Sequence, residues 1–181
     1  MKDVAIIIGH RERSQGAYSP TLNKTEFQFN KKVALFLEDI ADIYERPNIP
    51  FVSEAFRIKE LVKEVNKKSY RLVISLHFNS FENDIAHGAT ALYYITNSKG
   101  KHIATEFVKI MADDFGIKKR DLIPISNKNQ RGGTLITGLH ATSILVEPFF
   151  GSNEEDALKF KDQEEKYAQL LRSLIAVTKN L

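Results

Sequence analysis

Five consecutive apolar residues, Val4-Ala5-Ile6-Ile7-Ile8, run straight into Gly9-His10. A run this short, and this rich in β-branched side chains, is a strand buried on both faces. Such strands lie at the centre of a parallel or mixed sheet, and that leaves few folds open to the chain. Two later runs repeat the design. Leu72-Val73-Ile74-Ser75-Leu76 ends in His77, and Ser143-Ile144-Leu145-Val146 ends in Glu147. If the three strands run parallel, His10, His77 and Glu147 emerge on one edge of one sheet. The carboxyl ends of strands in open α/β sheets are where sites are built.

Between these strands the pattern changes to helical spacing. Asn23 with Glu26 three residues on reads as a capping box, and Phe27, Val33, Leu37, Ile40 and Tyr44 follow at helical intervals. We expect a helix over 23–45, stopped by Arg46-Pro47-Asn48. A short strand is expected over Ile49–Ser53, a second helix from Phe56 to Lys68, and a strand over Ala89–Thr96 at or near a sheet edge. A helix over 101–115 closes on Gly116 as C-cap. Residues 117–142 are the least readable stretch, with Lys118–Asp121 and Asn127–Gly133 loop-like, and Ser152–Asp156 caps one helical tail that runs to the C-terminus. The alternation predicts an α/β three-layer sandwich, a central mixed, mostly parallel twisted sheet with helices on both faces. At 181 residues we expect a single domain over 1–181.

The sequence contains no cysteine, so disulfides, thiolate nucleophiles and Cys-type zinc sites are excluded. Any metal must be held by His and carboxylate. The net charge of +3 is mildly basic, but the cations do not cluster with aromatics. Nucleic acid and a bacterial wall polymer are both possible anionic partners of a basic chain, and without such a cluster no nucleic-acid binding is expected. No apolar run is long enough for a transmembrane helix. Met1-Lys2-Asp3 enters the first strand without a basic, cleavable leader, so no signal peptide is expected. The reading is synthesis in the cytoplasm, or a catalytic piece of a longer chain.

Glu26 lies close to the apolar face of its helix, where a carboxylate is costly unless paired or coordinated. Two imidazoles and one carboxylate can hold a catalytic zinc with the fourth position left for water, and a second carboxylate can act as general base. On the residues alone blander readings stand beside this one. A His after a strand can be structural, Glu26 can serve as a capping residue, and Glu147 can simply pair with a nearby cation. Arg131, beside Gly132-Gly133, can clamp a carboxylate or stand as a solvated loop charge. His87 lies in the loop after His77, and His140 precedes the last strand. His102 opens a polar helix.

Several stretches together resemble one family: Ile8-Gly9-His10, Gly16-Ala17, Asn23 to Glu26, Ser75-Leu76-His77-Phe78-Asn79-Ser80, Gly88 to Tyr94, Leu145-Val146-Glu147 with Phe149-Phe150, and Ser152 to Asp156. In this order they are similar to the zinc-dependent N-acetylmuramoyl-L-alanine amidases called amidase type 3, found in cell-wall enzymes and phage endolysins. The resemblance implies Zn2+ held by His10, Glu26 and His77, with Glu147 as the catalytic glutamate. It implies cleavage of the amide between N-acetylmuramic acid and L-alanine in peptidoglycan, by an endolysin or autolysin. Asn79, His87 and Arg131 are then candidate substrate contacts, and a monomer is expected. The chain departs from the family pattern in Ile7-Ile8-Gly9-His10-Arg11, in Phe78 where a small residue is usual, and in Pro148. No basic residue is evident in Leu135 to His140, just before the last strand. Another zinc amide hydrolase, similar to N-formylglutamate amidohydrolases or carboxypeptidases, and a non-catalytic wall-binding relative remain alternatives.

Overall fold

The computed structural model describes residues 2–180. Six strands form one sheet: β1 (Val4–Ile8), β2 (Asp42–Tyr44), β3 (Leu72–Leu76), β4 (Thr90–Tyr94), β5 (Ile123–Ile125) and β6 (Thr142–Glu147). Their order across the sheet is β2-β1-β3-β6-β4-β5. The first four in that order are parallel, β4 runs antiparallel to β6, and β5 is parallel to β4. Helices cover both faces, so the three-layer α/β sandwich with a mixed, mostly parallel sheet is the observed fold.

Strand alternation sorts the core into the two faces. Ile6, Ile8, Ile74, Leu76, Ile144 and Val146 face α1 (Glu26–Leu35), α3 (Ser98–Phe115), α5 (Glu154–Phe160) and α6 (Glu164–Val177). Ala5, Ile7 and Val73 face α2 (Glu54–Val65) and α4 (Gly133–Gly138). Within the first layer Phe29, Phe78, Phe149, Phe160 and Tyr167 pack as one aromatic group, with ring centroids 4.4 Å apart for Phe149 and Phe160. Phe78 sends its ring into this group, 5.1 Å from Phe149. A bulky residue after His77 is thereby accommodated in the core.

The structure differs from the sequence reading in several places. The expected helix over 23–45 ends at Leu35; turns follow, and Asp42–Tyr44 is the edge strand β2. Ile49–Ser53 is loop rather than strand. Helix α3 begins at Ser98, not 101, because the Asn97 side chain accepts from Gly100 N at 2.8 Å and caps it there. Residues 117–142 hold β5 and α4, both short. The tail is two helices, broken at Lys161–Gln163, where Asp162 takes φ 56°.

One ion-pair cluster ties the last helix to the segment that positions the site. Glu164, buried at the start of α6, meets Lys24 at 2.7 Å and Lys32 at 3.2 Å. Burial pushes its carboxyl up, but the hydrogen bonds and charge of Lys24 and Lys32 outweigh that and hold it below the ordinary range. A depressed carboxylate contributes stability above its unfolded pKa, about 4.3, and loses it as the pH falls through the folded value. Glu164→Gln should therefore cost about 1–2 kcal/mol at pH 7, less than a fully buried pair because both lysines are partly exposed. The difference from wild type should shrink below about pH 4. Urea unfolding of both proteins from pH 7 to pH 3 measures it, and a difference independent of pH contradicts the assignment.

Candidate active site

In-register pairing brings the three strand-end residues together. Ile8 pairs Leu76, and Leu76 pairs Val146. The chain continues with Gly9 N donating to Leu76 O at 2.9 Å and His77 N donating to Val146 O at 3.1 Å. His10, His77 and Glu147 therefore leave the same edge of β1, β3 and β6. Thr90 of β4 pairs Glu147 on its other side.

Glu26 reaches this edge from α1, and its place in the helix decides what it can do. The capping box is Thr25 with Gln28, not Asn23 with Glu26. Asn23 sits in a turn at φ 51°, where its side-chain oxygen accepts from Tyr18 Oη at 2.6 Å. This shift makes Glu26 the first helical residue, so its carboxylate is not spent on the N-cap backbone. It lies in the favourable field of the helix N-terminus. Its oxygens are 3.0 Å from His10 Nε2 and 2.7 Å from His77 Nδ1. Phe78 N donates to it at 3.3 Å. Burial pushes the Glu26 carboxyl up, but the hydrogen bonds and charge of His10 and His77 overcome this and hold it at about 2. The group is ionised at neutral pH, as a metal ligand must be.

One ligand atom from each of His10, Glu26 and His77 lies within 4.8 Å of the others. Tetrahedral zinc with bonds of about 2.0–2.1 Å spaces its ligands about 3.3 Å apart, so a hard or borderline cation fits this N2O donor set with small side-chain shifts. The backbone around the three is cut to admit them. A Cβ on Gly9 would lie 2.7 Å from His77 Nδ1, and a Cβ on Gly16, at φ 76°, would lie 2.6 Å from both Glu26 Oε2 and His10 Cδ2. Glycine is required at both. His10 itself takes φ 65°, a left-handed conformation uncommon for a side-chain-bearing residue and typical of functional strand ends.

Glu147 is buried on the same edge but belongs to a separate set of contacts. Arg131 forms a two-pronged ion pair with it, Nη2 donating to Oε2 at 3.0 Å and Nη1 to Oε1. Asn79 Nδ2 donates to Oε2 at 2.9 Å. The Arg131 side chain is 56% exposed, whereas that of Glu147 is 4% exposed. All six residues line one cavity of about 380 Å3. Its floor extends over the sheet face to Ile7, Ser75 and Leu145, with Ile58, Leu61 and Leu135 from α2 and α4 above.

Of the seven candidate site residues, six share this cavity: His10, Glu26, His77, Glu147, Asn79 and Arg131. His87 lies outside it, exposed, with Nδ1 2.9 Å from Ile85 O. His140 is exposed at the start of β6, at the opposite end of that strand from Glu147. Arg131 stands neither free in solvent nor against a substrate: it pairs with the chain's own Glu147, the alternative that the sequence reading gave for that glutamate.

The sequence model of the Amidase_3 family, N-acetylmuramoyl-L-alanine amidase, matches residues 4–176. No curated protein matches the sequence. Among solved structures, the catalytic domain of CD27L, an endolysin targeting Clostridia difficile, is 25% identical, with 97% of each chain covered and a TM-score of 0.76. The catalytic domain of CwlV, an N-acetylmuramoyl-L-alanine amidase from Bacillus (Paenibacillus) polymyxa var. colistinus, is 23% identical, covering 97% of this chain and 96% of that one, TM-score 0.74. An N-acetylmuramoyl-L-alanine amidase from Clostridium difficile 630 shares the fold at 16% identity, covering 97% of this chain and 95% of that one, TM-score 0.76.

Proposed function

The chain belongs to the N-acetylmuramoyl-L-alanine amidase family, whose substrate is peptidoglycan, and from that premise we propose that it is a zinc amidase with His10, Glu26 and His77 as ligands and Glu147 as its acid–base group. The observation that carries the reading is the convergence of those three ligand atoms in one cavity with a fourth, independently held carboxylate. Zinc bound there supplies a Lewis acid that acidifies a water and polarises the scissile carbonyl.

The chain's own residues supply the rest. Glu26 stays ionised and, until a metal takes those ring nitrogens, holds both imidazoles in place from one carboxylate, and the two glycines leave room for that packing. Glu147 takes the proton of the attacking water at a carboxylate oxygen and passes it to the amine nitrogen as the carbon–nitrogen bond breaks. For this, one of its oxygens has to be released from its partners. Arg131, on an exposed loop, is the partner that yields, while Asn79, anchored through Asn79 N to Phe149 O at 2.9 Å, keeps the carboxylate oriented. The separation of roles is chemically necessary. One carboxylate must be a metal ligand, and the other must remain off the metal to carry a proton.

The biological setting we read is lysis or remodelling of the bacterial wall, by an endolysin or autolysin. No helix among the described residues is long and apolar enough to cross a membrane. The test is zinc titration of chelator-treated protein, following both bound metal and clearing of a sacculus suspension. The expected result is one zinc per chain and clearing restored in proportion to it. Full clearing by metal-free protein overturns the zinc reading.

A further inference from the structure

A second groove adjoins the metal cavity and is not used by the chemistry above. It measures about 500 Å3 and is lined by Lys118, Lys119, Arg120, Asp121 and Thr90, with Asn79 and Arg131 forming the wall it shares with the first cavity. Four cations face one carboxylate in it. Arg131 is paired to Glu147, but among the described residues no carboxylate lies within ion-pair distance of Lys118, Lys119 or Arg120, and all three are exposed. An uncompensated cluster of this kind raises the local concentration of anions.

The cluster is held in place. Ala89 N donates to Lys118 O at 2.8 Å and Arg120 N donates to Ala89 O at 2.9 Å, a strand-like clamp on the backbone that carries the three cations. Gly88, at φ 106°, permits this close approach, since a Cβ there would lie 2.6 Å from Lys118 O. The Arg120 guanidinium sits 5.0 Å from the centre of the Phe150 ring, and its Nη1 donates to His87 O at 3.1 Å. Arg120 is thus positioned before any ligand arrives. His87 enters here only as the carbonyl that accepts from Arg120.

We propose that this groove is the subsite for a free carboxylate of the stem peptide, on the leaving-group side of the scissile amide; the inference rests on the amidase reading. The reason is charge complementarity along a polymer whose two halves differ. The glycan, joined to the peptide through a neutral amide, is uncharged, whereas the peptide carries carboxylates. With the scissile bond in the metal cavity, the stem peptide crosses the shared Asn79–Arg131 wall into the groove, and at about 3.5 Å per residue the second residue is the first that can bring a free carboxylate there, the first residue's being tied up in a peptide bond. The groove then selects substrates whose second residue keeps a free acid over those in which it is amidated.

The experiment compares two disaccharide–peptides that differ only at the second residue, a free α-carboxylate in one and a carboxamide in the other. Turnover is measured for wild type and for the Lys118→Gln/Lys119→Gln variant. Wild type should favour the acid by about tenfold in kcat/KM, mostly through KM, as one charge-assisted contact predicts. The preference should weaken at 0.5 M salt, where the Debye length falls to a few ångströms. The double variant should treat the two substrates within about twofold. The salt comparison needs only wild type, so it holds even if the variant folds poorly.

Equal turnover of acid and amide by wild type overturns the inference and leaves the amidase reading standing. Persistence of the preference in a folded double variant does the same. If the variant is impaired only on walls bearing a phosphate polymer and not on the isolated peptides, the groove binds that polymer instead and the inference falls. Absence of turnover on both substrates overturns the amidase reading, and the inference with it.

Discussion

Glu147→Gln should retain one zinc per chain and lose about 10³-fold in turnover of a muropeptide, the scale on which general acid–base groups act. The substitution keeps the shape of the side chain, its place at the end of β6 and the Asn79 contact. It removes the ability to take and return a proton. It also dissolves the Arg131 ion pair, so the loop carrying Arg131 should become more mobile while the sheet edge does not move. Zinc content by elemental analysis and rates on one defined muropeptide decide the matter. Near-normal hydrolysis by the variant would remove Glu147 from the chemistry. Loss of zinc would make it a ligand and require a different proton carrier.

His77→Ala should lose both metal and activity. Two donors, His10 and Glu26, cannot hold zinc in the way three do, and even indirect partners of metal ligands are worth 10–100-fold in affinity. We expect zinc affinity to fall by at least about 100-fold and hydrolysis to fall below detection at stoichiometric zinc. The metal-free variant should also be less stable than metal-free wild type. Glu26 is 4% exposed, and removing the imidazole strips its buried carboxylate of the 2.7 Å partner. Leaving a buried ion short of one partner costs about 1–3 kcal/mol. Isothermal titration with zinc and urea unfolding of the two metal-free proteins measure the two effects separately. A variant that binds zinc as wild type does would remove His77 from the ligand set.

The two predictions rest on parts of the chain that differ in how openly the sequence declares them. The three apolar strands and the residues that end them could be read directly, because a strand buried on both faces has an unbroken apolar run and stops abruptly where it meets the site. Short elements were harder to read. β5 is three residues with Pro124 at its centre, a residue tolerated there because the strand is at the sheet edge. α4 is six residues between glycines and has no side-chain cap. Both lack the length over which periodicity accumulates. The overlong helix has another cause. Leu37, Ile40 and Ala41 continue the helical spacing because they pack in turns against the same core as α1. The break between α5 and α6 has neither Gly nor Pro to mark it, since Asp162 supplies the left-handed residue.

The site shows the same division. His10, Glu26, His77 and Glu147 were legible, but the position of Glu26 in its helix was not. Asn23 and Thr25 are both good caps with a suitable partner three residues on, and local sequence does not choose between them. The choice is made by tertiary contacts: Asn23 goes to Tyr18, Thr25 takes Gln28, and Glu26 is released toward the histidines. The Arg131–Glu147 pair spans a loop and a strand, and it has no local signature at all.

The central claim is the identity of the bond that is cut, and mass spectrometry of the soluble products of purified peptidoglycan tests it most directly. Reactions are run with the zinc-loaded protein, with and without a chelator. The account predicts free stem peptides bearing an unblocked N-terminal L-alanine, together with peptide-free glycan, both absent when the metal is removed. Fragments cut within the stem peptide, or the same free peptides released in the presence of chelator, would contradict it.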